Sequence, residues 1–209
     1  MYDHKDGVTL RKIEKSDLPC LLKLKQESWW GTHKTPIISS DDQEYWYDNI
    51  PDDQLFMVGF KSDTCQEAGE TNPTRDVIGV GAYTNIDFLN RKLHISGSLI
   101  KKSRIFSSNA FCAGLDFAFE ILNMRRVEAE VVEYHVAAQK IEVEILGFSI
   151  EGRKRESVYK CGKYYDSLVL GLLREDWKSS VRVNNYGDTC NKNFSHDYFQ
   201  RIMERIKNH

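Results

Sequence analysis

From Val8 to Glu14 apolar and polar residues alternate, the period of a strand with one face buried. Leu18, Leu21, Leu22 and Leu24 then fall near one face of a helix over 18–30, with Ser16 and Asp17 as N-cap candidates and Pro19 inside the first turn. A second helix is predicted over 39–50: Ser40 and Gln43 have capping-box spacing, acids follow the cap, and Pro51 ends it. The runs 53–60, 76–86 and 91–100 read as strands, and Gly97 inside the last suggests a bulge or a close backbone approach. The polar segment 61–75 between the first two reads as a surface loop within one domain.

Between Phe106 and Leu122 the residues Phe111, Leu115, Ala118 and Leu122 repeat at helical spacing, and Ala110, Gly114, Phe117 and Ile121 widen the stripe, so this helix is largely buried. A strand over 125–132, a helix over 135–146 closed by Gly147, and two strands over 148–160 and 164–173 complete the pattern, the last two joined by a turn at Cys161, Gly162 and Lys163. Seven strands and four helices in this order predict an α+β or mixed α/β sheet flanked by helices. After Trp177 the chain turns polar, and Ser195 caps a short amphipathic helix carrying Tyr198, Ile202, Met203 and Ile206, giving a domain over 1–177 followed by a linker and tail helix over 178–209. That helix fits docking on its own domain or pairing with a partner.

The chain of 209 residues is long enough for one well-buried core, and its net charge of -2 supplies no basic surplus for nucleic acid. The charged N-terminus has no apolar core of a secretory signal, and no apolar run reaches the length of a membrane span, so no membrane partner is expected. Five scattered cysteines without a CxxC pair argue against a zinc site or a disulfide framework and fit reduced thiols in a cytoplasmic protein. Cys112, on an apolar helix, reads as a buried thiol rather than a nucleophile.

Arg125, Arg126, Val127 and Ala129, then Leu146, Gly147, Phe148, Glu151 and Gly152, form an Arg-Arg-Val-x-Ala strand followed by a Leu-Gly-Phe-x-x-Glu-Gly block; Tyr165 and Asp166 precede a closing strand before Glu175, Asp176 and Trp177. With the order of elements, this resembles the GNAT superfamily of acyl-CoA-dependent N-acyltransferases over roughly residues 8–177, most of all the subgroup of ribosomal-protein N-terminal acetyltransferases and related amino-sugar enzymes. The resemblance implies acetyl-CoA as acyl donor, a small-molecule amine or a protein N-terminus as acceptor, and a monomer or homodimer. It implies a strand splayed from its neighbour over Gly97, Ser98, Leu99 and Ile100, and a phosphate loop over 101–109.

The family's loop, (Gln/Arg)-x-x-Gly-x-(Gly/Ala), falls on Lys102 to Ser107, where Ile105 occupies the glycine position. Two readings follow. Lys101, Lys102 and Arg104 can supply charge, with Ser103, Ser107, Ser108 and Asn109 as hydrogen-bonding groups around the pyrophosphate. Alternatively the loop is a solvated basic turn and the serines cap a helix. On the helix after the Arg-Arg strand, the family's Asn, Ser/Ala and Tyr positions hold Val136, Gln139 and Val143, and only Gln139 retains a polar group toward pantetheine.

Acyl transfer needs a base for the amine, a polarised carbonyl and a departing thiolate. His94, whose strand alternation puts it on one face with Ser96 and opposite Leu93, Ile95 and Gly97, is the candidate base, or else a half-buried sheet histidine. Tyr134 and His135 are candidate acids at the end of the Arg-Arg strand. Trp29, Trp30 and Trp46 are candidate acceptor-contacting aromatics, which core packing also explains. The expected activity is N-acetyl transfer to a primary amine; the alternatives are a GNAT-fold binding module without catalysis and a transferase using another acyl donor.

Overall fold

The computed structural model describes residues 2–4, 7–31, 39–61, 77–99 and 104–179. The polar segment 62–76 and the tail beyond 179, including the amphipathic helix expected there, lie outside the described residues.

All seven expected strands are present, and an eighth, too short to show a period, precedes them. These are β1 Tyr2–His4, β2 Val8–Lys12, β3 Leu55–Lys61, β4 Val77–Asp87, β5 Lys92–Leu99, β6 Arg126–Val132, β7 Ser149–Lys160 and β8 Lys163–Leu173. They form one sheet in the order β1-β2-β3-β4-β5-β6-β8-β7. Every neighbouring pair is antiparallel except β5 and β6. A parallel pair requires a crossover of a dozen or more residues. Here it is α3, Arg104–Asp116, which continues as a π-helical segment over Phe117–Ile121. The other helices are α1 Leu18–Ser28, α2 Ser40–Asp48, α4 Val136–Gln139 running into a π segment over Lys140–Ile145, and α5 Arg174–Ser179.

The sheet buries both faces. On one, α3 covers Leu10, Met57, Tyr83, Leu93, Ile95 and Val127 in the main core. On the other, α1 and α2 cover a smaller cluster built on Ile13, Phe56, Val58 and Ala82. Trp177 of α5 closes the main core, its indole N–H donating to Asp116 at 2.7 Å and its ring stacked on Phe119.

Two helix starts differ from the sequence reading. A short 3-10 turn, Lys15–Asp17, leads into α1, and its cap is Glu14 rather than Ser16 or Asp17. Asp17 instead accepts from the Glu14 N–H at 2.8 Å and binds the Arg11 guanidinium through both oxygens at 2.8 Å, so its buried charge is paired and hydrogen-bonded. The α2 cap is Ser39, not Ser40; its hydroxyl accepts from Asp42 N–H at 3.1 Å.

The signature residues behind the resemblance prove to be packing residues. Leu146 and Phe148 are buried in the main core, and Gly147 between them has φ +82, the left-handed conformation that ends a helix. Arg126 donates to Glu128 at 2.9 Å and to both oxygens of Glu151, so the Arg-Arg strand and the Glu-Gly block are tied across the sheet. Glu151 reaches Arg126 over the bare backbone of Gly171, where a Cβ would stand only 2.5 Å from its carboxyl carbon.

Candidate active site

β5 and β6 pair over three rungs only: Lys92 with Arg126, Leu93 with Val127 and His94 with Glu128. β5 then continues to Leu99 and β6 to Val132, with no strand pairing between them. β5 stays in register with β4 throughout this stretch, Ile95 with Tyr83, Gly97 with Gly81 and Leu99 with Gly79. The strands therefore part immediately after His94. Beyond it, alternate N–H and C=O groups of residues 95–99 face an edge with no strand partner among the described residues. The resemblance implied a splay over Gly97 to Ile100; the pairing ends three residues before Gly97, at His94, and Gly97 itself is a close approach rather than a bulge. A Cβ there would meet the Phe111 ring at 3.3 Å.

His94 occupies the last full rung, between Thr84 of β4 and Glu128 of β6. The expected alternation holds: Leu93 and Ile95 are buried under α3, while His94 is half-buried and Ser96 exposed on the opposite face. That face belongs to α1, because Ser98, next along it, pairs with the Ser28 hydroxyl at 3.3 Å. Glu128, which the sequence reading did not single out, is the cross-strand neighbour of His94. Alternation alone could not reveal it, since the pairing depends on which strands adjoin.

The end of β6 carries an aromatic cluster. The Tyr134 hydroxyl donates to the Trp30 carbonyl, and the Tyr134 ring lies 6.5 Å from the Trp30 ring and 4.6 Å from the Tyr165 ring. The His135 ring packs edge-on to Trp30 at 4.8 Å, and a Cβ on Gly31 would stand 3.2 Å from it. These contacts fix the turn Trp29–Gly31, at the end of α1, against the residues that follow β6. Burial pushes the Tyr134 phenol up and the His135 imidazole down from their ordinary ranges, so at neutral pH the first stays protonated and the second uncharged. Tyr165 is a member that sequence reasoning placed only in the closing block.

Gln139 donates to the carbonyls of Glu133 at 2.6 Å and Val132 at 3.3 Å, so its amide nitrogen is spent on closing the end of β6, and its oxygen alone is left to face a ligand. Trp46 stands apart from the cluster, packed at 4.7 Å on Phe56 with the Lys25 ammonium 3.4 Å over its ring.

Ile100, Lys101, Lys102 and Ser103 lie outside the described residues. Arg104 to Asn109, expected in a loop, are already helical. Ser107, Ser108 and Asn109 thus lie inside the helix, past the unpartnered N–H groups of its first residues, 104–106. Ile105, at the family's glycine position, suits this conformation, because a right-handed helical turn asks for negative φ, which a β-branched residue adopts readily.

A mixed sheet that parts beside the parallel pair β5–β6, ahead of a crossover helix, decides the architecture. This is the GNAT acyl-CoA N-acyltransferase fold. It is shared by spermidine N-acetyltransferase from Vibrio cholerae in complex with CoA and spermine, which matches with a TM-score of 0.70 at 21% identity, covering 83% of this chain and 99% of that one. The dodecameric spermidine N-acetyltransferase of the same organism in its intermediate state matches with a TM-score of 0.66 at 22% identity, covering 85% and 99%. No family model and no curated protein matches the chain.

Among the described residues no group of His, Cys, Asp and Glu side chains could hold a metal ion, and no helix is long and apolar enough to cross a membrane.

Proposed function

We propose that the protein transfers an acyl group from acyl-CoA to a primary amine, with the donor seated in the gap between β5 and β6. The observation that carries this reading is the edge of residues 95–99: N–H and C=O groups aligned for a strand, in a place where no strand comes among the described residues. An amide-bearing pantetheine arm suits such an edge, as an added strand does. The first turn of α3 follows within a few residues, and its unpaired N–H groups suit a pyrophosphate. Bound there, an acyl-CoA supplies a thioester whose acyl carbon passes to the amine nitrogen, releasing the thiol.

The chain's own residues have distinct tasks. His94, at the apex and on the α1 face, takes the proton of the incoming amine. A β5 main-chain N–H on the free edge polarises the acyl carbonyl. Tyr134 and His135 hold the Trp30 turn in place, and Trp30, 42% exposed, offers an apolar face to the acceptor. Lys101, Lys102 and Arg104 supply cations toward the phosphates. The signature motif favours an amino sugar or a protein N-terminus as acceptor, whereas the similar solved structures are named for spermidine and spermine. A primary amine is the class common to both directions.

The test is incubation of the protein with acetyl-CoA and a panel of amino sugars, peptides with free N-termini and polyamines, with mass spectrometry of the products. Addition of one acyl group to at least one class, with release of free thiol, is expected. No product with any class, in a preparation that binds acetyl-CoA, would leave a binding module instead of an enzyme.

A further inference from the structure

Glycine is a poor strand residue, since it brings no side chain to pack and loses the most backbone freedom. Four glycines nevertheless stand together on the α3 side of three adjacent strands: Gly59 pairs with Gly79 across β3 and β4, and Gly81 with Gly97 across β4 and β5. With Gly114 of α3 they line an apolar cavity of about 40 Å³, partly open to solvent.

Close helix packing explains two of the five. A Cβ on Gly97 would crowd Phe111 at 3.3 Å, and one on Gly114 would crowd the Tyr83 hydroxyl at 3.3 Å. Gly81 has no such reason. A Cβ there would meet nothing nearer than the Ser96 carbonyl oxygen at 3.9 Å. A larger residue at 81 would fill space, gain contacts and favour the strand, yet the position is bare. An unfilled apolar void weakens a fold, because its lining loses dispersion partners.

The void adjoins the proposed donor cleft. Ile95, Ser96 and Gly97, the first three residues past the last β5–β6 rung, line it. One stretch of β5 is thus both the free edge of the cleft and a wall of the cavity. A water needs roughly 10–15 Å³ of such space, so the cavity takes about three carbon-sized groups. Its apolar lining favours hydrocarbon over water.

We propose that this cavity receives the tail of a short-chain acyl group longer than acetyl, of butyryl size, carried by the donor. The proposal rests on the acyl-CoA reading of the β5–β6 cleft and goes beyond it by naming the donor class. Gly81 is then a specificity residue: its missing side chain is the room the tail occupies.

Calorimetric titration of the whole protein with CoA, acetyl-CoA and butyryl-CoA tests this, beside Gly81→Val and the smaller Gly81→Ala. Two extra methylenes buried in the cavity should make butyryl-CoA bind about tenfold more tightly than acetyl-CoA. Gly81→Val should bring that ratio close to one and raise the melting temperature of the free protein; Gly81→Ala should lower the ratio part-way and serves if the valine variant does not fold. Equal affinity for the two donors in the parent protein, or a preference that survives both substitutions, would overturn the acyl-tail site and leave the donor cleft standing. Failure of all three ligands to bind would overturn both.

Discussion

Replacing His94 with glutamine is expected to lower the turnover of acyl transfer by about 10²–10⁴-fold, the range for removing a general base, while acetyl-CoA still binds. The effect follows from position. His94 is held by rungs on both sides, to Thr84 and to Glu128, so its backbone is fixed, and the very next residue begins the edge left open by β6. Its side chain emerges on the α1 face, where the proposed acceptor would approach. Glu128 lies one strand spacing away, about 5 Å, with Arg126 bound to its carboxylate at 2.9 Å. Single-turnover kinetics with saturating acetyl-CoA separate the outcomes. A rate unchanged in His94→Gln would reduce this residue to a sheet histidine and move the base elsewhere.

Glu142→Gln is expected to make the protein more stable above pH 7 and to change little near pH 4. Glu142 lies in the π segment after α4, and its Oε2 is buried without a hydrogen-bond partner among the described residues. Burial alone pushes its carboxyl up to about 7 from 4.5. The folded state therefore keeps this proton after the unfolded chain has released it. Stability from this group is complete below pH 4.5 and is lost as pH rises through 7. The loss amounts to about 3 kcal/mol. Glutamine keeps the neutral shape and never charges, so it escapes the penalty. Asp87, Glu151 and Asp166 are held below the usual carboxylate range by their hydrogen bonds and act in the opposite sense at acid pH, so the difference between the two proteins is the quantity to follow. Urea unfolding of both between pH 4 and 8 should give curves that diverge with rising pH; parallel curves would show that Glu142 ionises freely in the fold.

Side-chain alternation made the strands legible, because it depends only on which face is buried. It put Leu93 and Ile95 opposite His94 and Ser96 correctly, and the stripe through Phe111, Leu115 and Ala118 announced a buried helix. Helix starts were read less well. Ser107, Ser108 and Asn109 favour caps, but their cost inside a helix is only some tenths of a kcal/mol, and α3 begins three residues earlier at Arg104. The Glu14–Asp17 cap was hidden because Asp17 serves Arg11 as well, a contact set by the fold. The π segments Phe117–Ile121 and Lys140–Ile145 leave the apolar stripe intact and give no sequence signal. The Arg126 and Glu151 motif carried the resemblance, and its residues bind one another across the sheet. The splay was legible only through that resemblance, since where a ladder ends depends on two strands far apart in sequence. Glu128, Tyr165 and the cavity before Gly81 required the folded sheet.

The most direct test of the account is amide hydrogen exchange on the free protein and on the protein saturated with acetyl-CoA. If the donor lies along β5, amides between 95 and 99 that face the open edge should slow, together with those in the first turn of α3, while the β2–β3 ladder stays as it was. Saturable binding with no added protection at 95–99 would place the donor somewhere other than the gap between β5 and β6.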